Sequence, residues 1–222
     1  METLPLHFAQ RHLFMEIEGN FWLFDTGAPI SFGECASLRF GGRTFPLAGS
    51  YLGLSAQSLS DLVGIRCAGI LGADILNKFD FLIDVPNGRI TYSEEPLEHP
   101  GATVACSQVM GVPVVTAQVD GSAHDMFFDT GAQISYLQDS STTRFPPAGT
   151  FRDFYPLIGT FETETHFVPL TVGGLSFTLR CGRLPGLLAA ALLLAGTTGI
   201  LGNEILAHRK AGYFPRRSCL VL

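Results

Sequence analysis

Charge is scarce in this sequence. Asp, Glu, Lys and Arg make up 15% of its 222 residues against 46% hydrophobic residues, and the formal charge is −6. So apolar a composition excludes a disordered chain, and the negative balance leaves no electrostatic footprint for nucleic acid or an anionic membrane. The one basic cluster, His208-Arg209-Lys210 with Arg216-Arg217, reads as a solvated face. Cysteine is sparse: five residues, at 35, 67, 106, 181 and 219, with no Cys-x-x-Cys pair. That odd, scattered set argues against a disulfide framework or a metal site and predicts buried free thiols. Long apolar runs are missing as well, since Leu187–Ala195 is too short to span a bilayer. The N-terminus lacks the basic start and apolar core of a signal peptide. The expectation is a soluble, cytoplasmic protein with no metal, no cofactor, and neither a nucleic-acid nor a membrane partner.

What the chain does have is glycine and proline, 25 and 13 residues, among many Val, Phe and Thr. This favours short strands and turns over long helices. It also has an internal repeat. Phe24-Asp25-Thr26-Gly27-Ala28-Pro29-Ile30-Ser31 recurs as Phe128-Asp129-Thr130-Gly131-Ala132-Gln133-Ile134-Ser135, differing only at Pro29 and Gln133. A second landmark, Gly69-Ile70-Leu71-Gly72-Ala73-Asp74-Ile75-Leu76, recurs in the same order as Gly199-Ile200-Leu201-Gly202-Asn203-Glu204-Ile205-Leu206. One Asp-Thr-Gly is an ordinary turn; two ordered landmarks per half are a duplication. The polar, Pro-containing stretch Ser93–Gly101 is the natural linker, dividing the chain into lobes 1–96 and 97–222.

Each Asp follows a predicted hairpin. His12 to Phe24 turns at Glu18-Gly19-Asn20, and Val112 to Phe128 turns at Asp120-Gly121-Ser122. Further hairpins are expected at Phe40-Gly41-Gly42-Arg43 and across Pro86-Asn87-Gly88, and a short helix at Gln57–Val63 with Ser55 or Ser58 as N-cap. The halves differ between landmarks: Asp25 to Gly72 is 47 positions, Asp129 to Gly202 is 73. The added residues read as two β-runs about Ile158-Gly159-Thr160, either a hairpin projecting over a cleft or an extra hairpin in the same sheet.

The Phe-Asp-Thr-Gly-Ala motif and the later Gly-Ile-Leu-Gly segment, each present twice, resemble the retropepsin-like aspartic peptidases over nearly the whole chain from His12 onward. The resemblance implies a mainly β fold: two retropepsin-like β-barrel lobes in a pseudo-two-fold, pepsin-like bilobal arrangement, with short helices after the Gly-Ile-Leu-Gly segments. It implies a monomer whose site forms between its own lobes and whose partner is a polypeptide substrate. Asp25 and Asp129 match the catalytic pair. Thr26 and Thr130 match the residues that hydrogen-bond across the lobes, and Gly27 and Gly131, with Ala28 and Ala132, match the small residues that let the loops meet. Gly72 and Gly202 match the structural glycine. Ile158, Gly159 and Thr160 are the candidate substrate-gripping flap. The pattern departs from the family in the short first half, which shows no evident flap.

Chemically, hydrolysis without a covalent intermediate needs a base for water and an acid for the carbonyl oxygen. Two carboxylates about 3 Å apart share one proton and fill both roles. Ala after each Asp-Thr-Gly, in place of the hydroxyl residue common in pepsin-like enzymes, predicts a milder pH optimum. Asp74 and Glu204 form a matched acidic pair on paper, but a first-turn helix position explains them better. Leu187–Ala195 reads as a buried helix. The expected function is an aspartic endopeptidase. The alternatives are a peptide-binding module with little turnover, or an interaction domain in which the acids merely cap loops.

Overall fold

The computed structural model describes residues 1–222. It is mainly β, 51% strand and 15% helix, built around two large sheets. The first half contains β1 (Glu2–Ala9), β2 (His12–Ile17), β3 (Asn20–Phe24), β4 (Phe32–Gly33), β5 (Ser37–Phe40), β6 (Arg43–Pro46), β7 (Ser50–Tyr51), β8 (Leu54–Ser55), α1 (Ala56–Val63), β9 (Gly69–Leu71), α2 (Ala73–Leu76), β10 (Asp80–Asp84) and β11 (Arg89–Ser93). The rest comprises β12 (Thr103–Ala105), β13 (Ser107–Val109), β14 (Val112–Val119), β15 (Ser122–Phe128), β16 (Ser135–Leu137), β17 (Pro147–Tyr155), β18 (Gly159–Val172), β19 (Leu175–Gly182), α3 (Gly186–Leu194), β20 (Gly199–Leu201), β21 (Lys210–Phe214) and β22 (Cys219–Val221). Short 3-10 turns lie at Ser140–Arg144, Asn203–Leu206 and Pro215–Arg217.

The repeat in sequence is a repeat in pairing. Strand β3 runs parallel to β9, with Phe24 beside Leu71, and β15 runs parallel to β20, with Phe128 beside Leu201. In both halves the strand after the Asp loop returns antiparallel on the other side, β4 on β9 and β16 on β20. Close approach explains the glycines: a Cβ on Gly72 would lie 2.6 Å from the Ala28 carbonyl oxygen, and one on Gly202 2.3 Å from that of Ile134. The predicted turns at Glu18-Gly19, Gly41-Gly42 and Asp120-Gly121 all have positive φ at both residues, the twist-matched geometry of two-residue hairpins. Both expected caps of α1 act together: Ser55 accepts from the Ser58 amide while Ser58 reaches back to the Ser55 amide, a capping box.

The halves are not separate at the sheet level. The ten-stranded sheet runs β12-β22-β21-β10-β11-β1-β2-β3-β9-β4, so the C-terminal strands pair with β10 of the first half. The other sheet, β13-β14-β15-β20-β16-β19-β18-β17, belongs to the second half alone. One core of 37 buried residues spans both. Within it, Phe24 packs edge-on against Phe81, which stacks on Tyr213, which meets Phe128 at 6.1 Å. The two residues that precede the aspartates are thus joined through a chain of aromatic contacts. The stretch Ser93–Gly101 connects β11 to β12 and is held by a charge cluster. Fully buried Asp80 meets Arg216 at 3.3 Å and Arg217 at 2.8 Å and accepts the Leu97 amide.

Three details differ from the sequence-based expectations. The long second-half hairpin turns at 156–158, since Tyr155 pairs with Gly159, and its return strand β18 continues unbroken to Val172. Pro156 lacks the N–H to extend the ladder, and Gly159, at φ 80°, starts the return. Helix α3 is not enclosed: Leu188 and Leu192 face inward, while Leu187, Leu193 and Leu194 are exposed. Cys35 is exposed and Cys219 half-buried, whereas Cys67, Cys106 and Cys181 are buried free thiols. No helix is long and apolar enough to cross a membrane.

Replacing Asp80 by Ala takes the buried carboxylate from two guanidinium groups and the acceptor from the Leu97 amide. We expect a loss of about 2–3 kcal/mol in urea unfolding, below the roughly 3–5 kcal/mol of a fully buried broken pair because Arg216 keeps Glu94 O, Arg217 keeps Glu98, and both reach solvent.

Candidate active site

Asp25 and Asp129 each stand one residue beyond a parallel strand, and each is pinned by the same bond: the Asp25 amide donates to Leu71 O and the Asp129 amide to Leu201 O, both at 3.0 Å. The chain then turns so that two following amides point back at the carboxylate. Oδ1 of Asp25 accepts from the Gly27 and Ala28 amides, both at 2.9 Å; Oδ1 of Asp129 accepts from those of Gly131 and Ala132 at 2.9 and 3.2 Å. A Cβ on Gly27 would fall 2.1 Å from Asp129 Cγ, and one on Gly131 2.5 Å from Asp25 Cγ. Each carboxyl group therefore rests on the other loop's glycine, and the two are hydrogen-bonded to each other.

Beneath them Thr26 and Thr130, both fully buried, tie the two loops together with four hydrogen bonds, two to each other and two to the carbonyl before the opposite aspartate. The Thr26 amide donates to Thr130 Oγ1 at 3.0 Å and the Thr130 amide to Thr26 Oγ1 at 3.1 Å. The Thr26 hydroxyl donates to Phe128 O and the Thr130 hydroxyl to Phe24 O, both at 2.6 Å. Every hydroxyl is both donor and acceptor, so no polar atom of the cross-link is left over.

The electrostatics follow from burial. Asp25 is pushed well above the ordinary carboxylate range by desolvation first, then by the charge of Asp129 and the bond to it. Asp129 is also raised by desolvation, but the hydrogen bond from Asp25 opposes the rise. Two like charges in contact cannot both ionise cheaply, so the pair shares a proton and titrates as a unit.

A cavity of about 420 Å³ opens over Gly27, Ala28 and Asp129, walled mainly by apolar side chains. Leu188 and Leu192 of α3 form part of one wall, and Phe32, Leu54 and Ile70 contribute from the first half. Tyr155 and Pro156, at the end of the long hairpin, line it. Ile158, Gly159 and Thr160, expected to grip substrate, do not; Thr160 instead lines a separate polar cavity of about 300 Å³ with His12, Gln133 and Asp153. The reason is the earlier turn, which puts residue 159 already on the return strand. The first half also supplies cover that its sequence did not announce. Strands β7 and β8 form a miniature hairpin that places Tyr51, Leu52 and Leu54 on the cavity. Two-residue strands leave no alternation to detect, and Leu52 at φ 50° is not a turn-forming residue; Gly53 was the only signal.

Asp74 and Glu204 do not pair. Asp74 accepts from the Ser31 amide, the Ser31 hydroxyl and the Ile75 amide, while Glu204 accepts the Arg180 amide and meets Arg11 at 3.3 Å. Asp74 thus braces its own loop directly through Ser31, whereas Glu204 reaches the other loop only through Arg11, which also donates to Gln133 O at 3.5 Å. Gln133, the odd residue of the repeat, donates to Gln10 O and contacts His12 Nε2 at 2.7 Å, and burial lowers the His12 pKa to about 4. A groove of about 440 Å³ lined by Phe8, Arg11, Phe177 and Arg209 contains neither aspartate. Its basic groups are already engaged, Arg11 by Glu204 and Arg209 by the Phe177 ring. No group of three or more His, Cys, Asp or Glu side chains is placed to hold a metal ion. Neither a family model nor a curated protein sequence matches this chain.

Thr26→Val keeps the shape but strands the Thr130 amide and removes the donor to Phe128 O. We expect it to lower unfolding free energy by about 2–4 kcal/mol, with Thr26→Ser near wild type, because two buried groups lose their partners and each unsatisfied one costs about 1–3 kcal/mol. Equal stability of the Val and Ser variants in denaturant titrations would contradict the cross-link's role.

Proposed function

We propose that this protein is an aspartic endopeptidase of retropepsin-like, bilobal design, acting on extended polypeptide segments. The observation that carries the reading is the contact of Asp25 with Asp129 above the reciprocal Thr26–Thr130 cross-link, at the floor of a covered cavity. A loop-capping role needs neither the contact nor the shared proton. In this reading water lies against both carboxyl groups. Ionised Asp129 takes a proton from water as it attacks the scissile carbonyl carbon, and Asp25 gives its proton to the carbonyl oxygen. As the tetrahedral intermediate collapses and the C–N bond breaks, Asp129 passes the proton it took from water to the departing nitrogen, and Asp25 takes one back from the gem-diol hydroxyl, which restores the pair. The substrate lies as a strand between the two hairpins, its backbone hydrogen-bonded and its side chains in the flanking pockets.

Digestion of a proteome-derived peptide library, read by mass spectrometry with and without pepstatin, tests this. Wild type should cleave with a rate maximum above about pH 4, since the working proton is held more tightly than on an ordinary carboxylate. Asp25→Asn and Asp129→Asn should both be inactive; full activity in either would overturn the assignment. The fold serves as the control. A carboxylate raised in the folded state lowers stability as pH climbs from the ordinary carboxylate range through the raised value. Asp25→Asn should therefore melt higher than wild type at pH 7 and lose that advantage below about pH 4.

A further inference from the structure

The two active loops are followed by different residues at one matched position. Seven residues after Asp25 stands Phe32; seven after Asp129 stands Tyr136. Both are buried on the strand leaving the loop, at 1% exposure, and both pair with the isoleucine of the supporting segment, Ile70 or Ile200. The only chemical difference of consequence is a hydroxyl. That hydroxyl donates to Asp153 Oδ2, and Asp153 Oδ1 accepts the Phe154 amide at 2.8 Å. Asp153 belongs to β17, the outgoing strand of the long hairpin, two residues before the Tyr155 that lines the cavity. The half with the long hairpin has the hydroxyl; the half with the miniature hairpin does not.

We propose that Tyr136 and Asp153 form a latch that fastens the β17–β18 hairpin to the second active-site loop, with Asp153 a positioning residue for Tyr155 over the aspartate pair. The hairpin needs one. Strand β17 is the edge of its sheet and pairs only with β18; Arg180 holds its inner part at Thr150 and Phe151, and near its outer end Phe154 packs on the first-half core, leaving Asp153 as the polar tie there. The latch stands outside the apolar cavity, on the polar one beside it, and its carboxylate lies in the field of the dyad. Asp153 raises the pKa of Asp129, and burial raises that of Asp153 in turn. The charged or titratable groups about Asp153 are Tyr136 and Asp129 from the loop side, Arg152 on its own strand, and His12 and Asp61 across the polar cavity. Arg180 faces Tyr136.

Hydrogen–deuterium exchange tests the latch in the intact protein, with Tyr136→Phe chosen because Phe already occupies the matched site. Amides of residues 151–162 should exchange roughly ten- to a hundredfold faster in Tyr136→Phe and Asp153→Asn, the factor for losing a hydrogen bond to a charged group, while β14 and β15 keep wild-type protection. Unchanged hairpin exchange in both variants would overturn the proposal. The positioning role rests on the peptidase reading and has its own arm. Asp153→Asn removes a negative charge that helps the dyad keep its proton, so the basic limb of kcat/KM should move to lower pH; an unmoved limb would overturn that role. Exchange is read whether or not peptides are cleaved, so failure of the latch and failure of the peptidase reading remain distinguishable.

Discussion

Everything else in this molecule depends on the four hydrogen bonds that Thr26 and Thr130 send across the loops, two to each other and two to the carbonyls of Phe24 and Phe128. They join two loops separated by 104 positions in the chain, in a place with no water to substitute for either partner. A buried hydroxyl that both donates and accepts leaves its neighbours little freedom, since moving one loop orphans groups on both. The carboxyl groups above inherit that rigidity. Asp25 and Asp129 are held together away from water, and the raised pKa of the pair reflects that desolvation first and, on Asp25, the charge of its neighbour second.

The surroundings reinforce the same point from both sides. Below, the run of contacts Phe24–Phe81–Tyr213–Phe128 joins the residues preceding each Asp through one core, and the shared ten-stranded sheet prevents the halves from separating independently. Behind, Asp74 and Glu204 occupy matched positions with different partners: Asp74 holds Ser31 of its own loop, Glu204 the Arg180 amide and Arg11. Above, symmetry fails. One half contributes a miniature hairpin, the other a long one tied at Asp153. The duplication thus fixes the floor of the site, whereas its cover is free to diverge.

Much of this was legible in the residues. The repeat located both aspartates, both threonines and the supporting glycines, because close backbone approach tolerates only Gly and cross-linked hydroxyls only Ser or Thr. Hairpins with Gly turns and the Ser55–Ser58 cap followed from local rules. What escaped was set by distant packing. Tyr136 and Asp153 meet only through the fold, and nothing in their spacing pairs them. The β7–β8 hairpin is too short for a periodic signal, and Leu52 takes a left-handed conformation that its side chain does not favour. The apolar run of α3 gave its helix but not its exposure, since uniform hydrophobicity carries no information about which face turns inward.

The central claim is that Asp25 and Asp129 share a single proton. Carbon-13 NMR of the aspartate carboxyl groups across a pH titration, with Asp25→Asn and Asp129→Asn for assignment, measures it directly. The account predicts two coupled steps for the pair, the second well above the ordinary carboxylate range, and its replacement by a single step in either variant. Two independent titrations near pH 4, the value for unperturbed carboxyls, would contradict it.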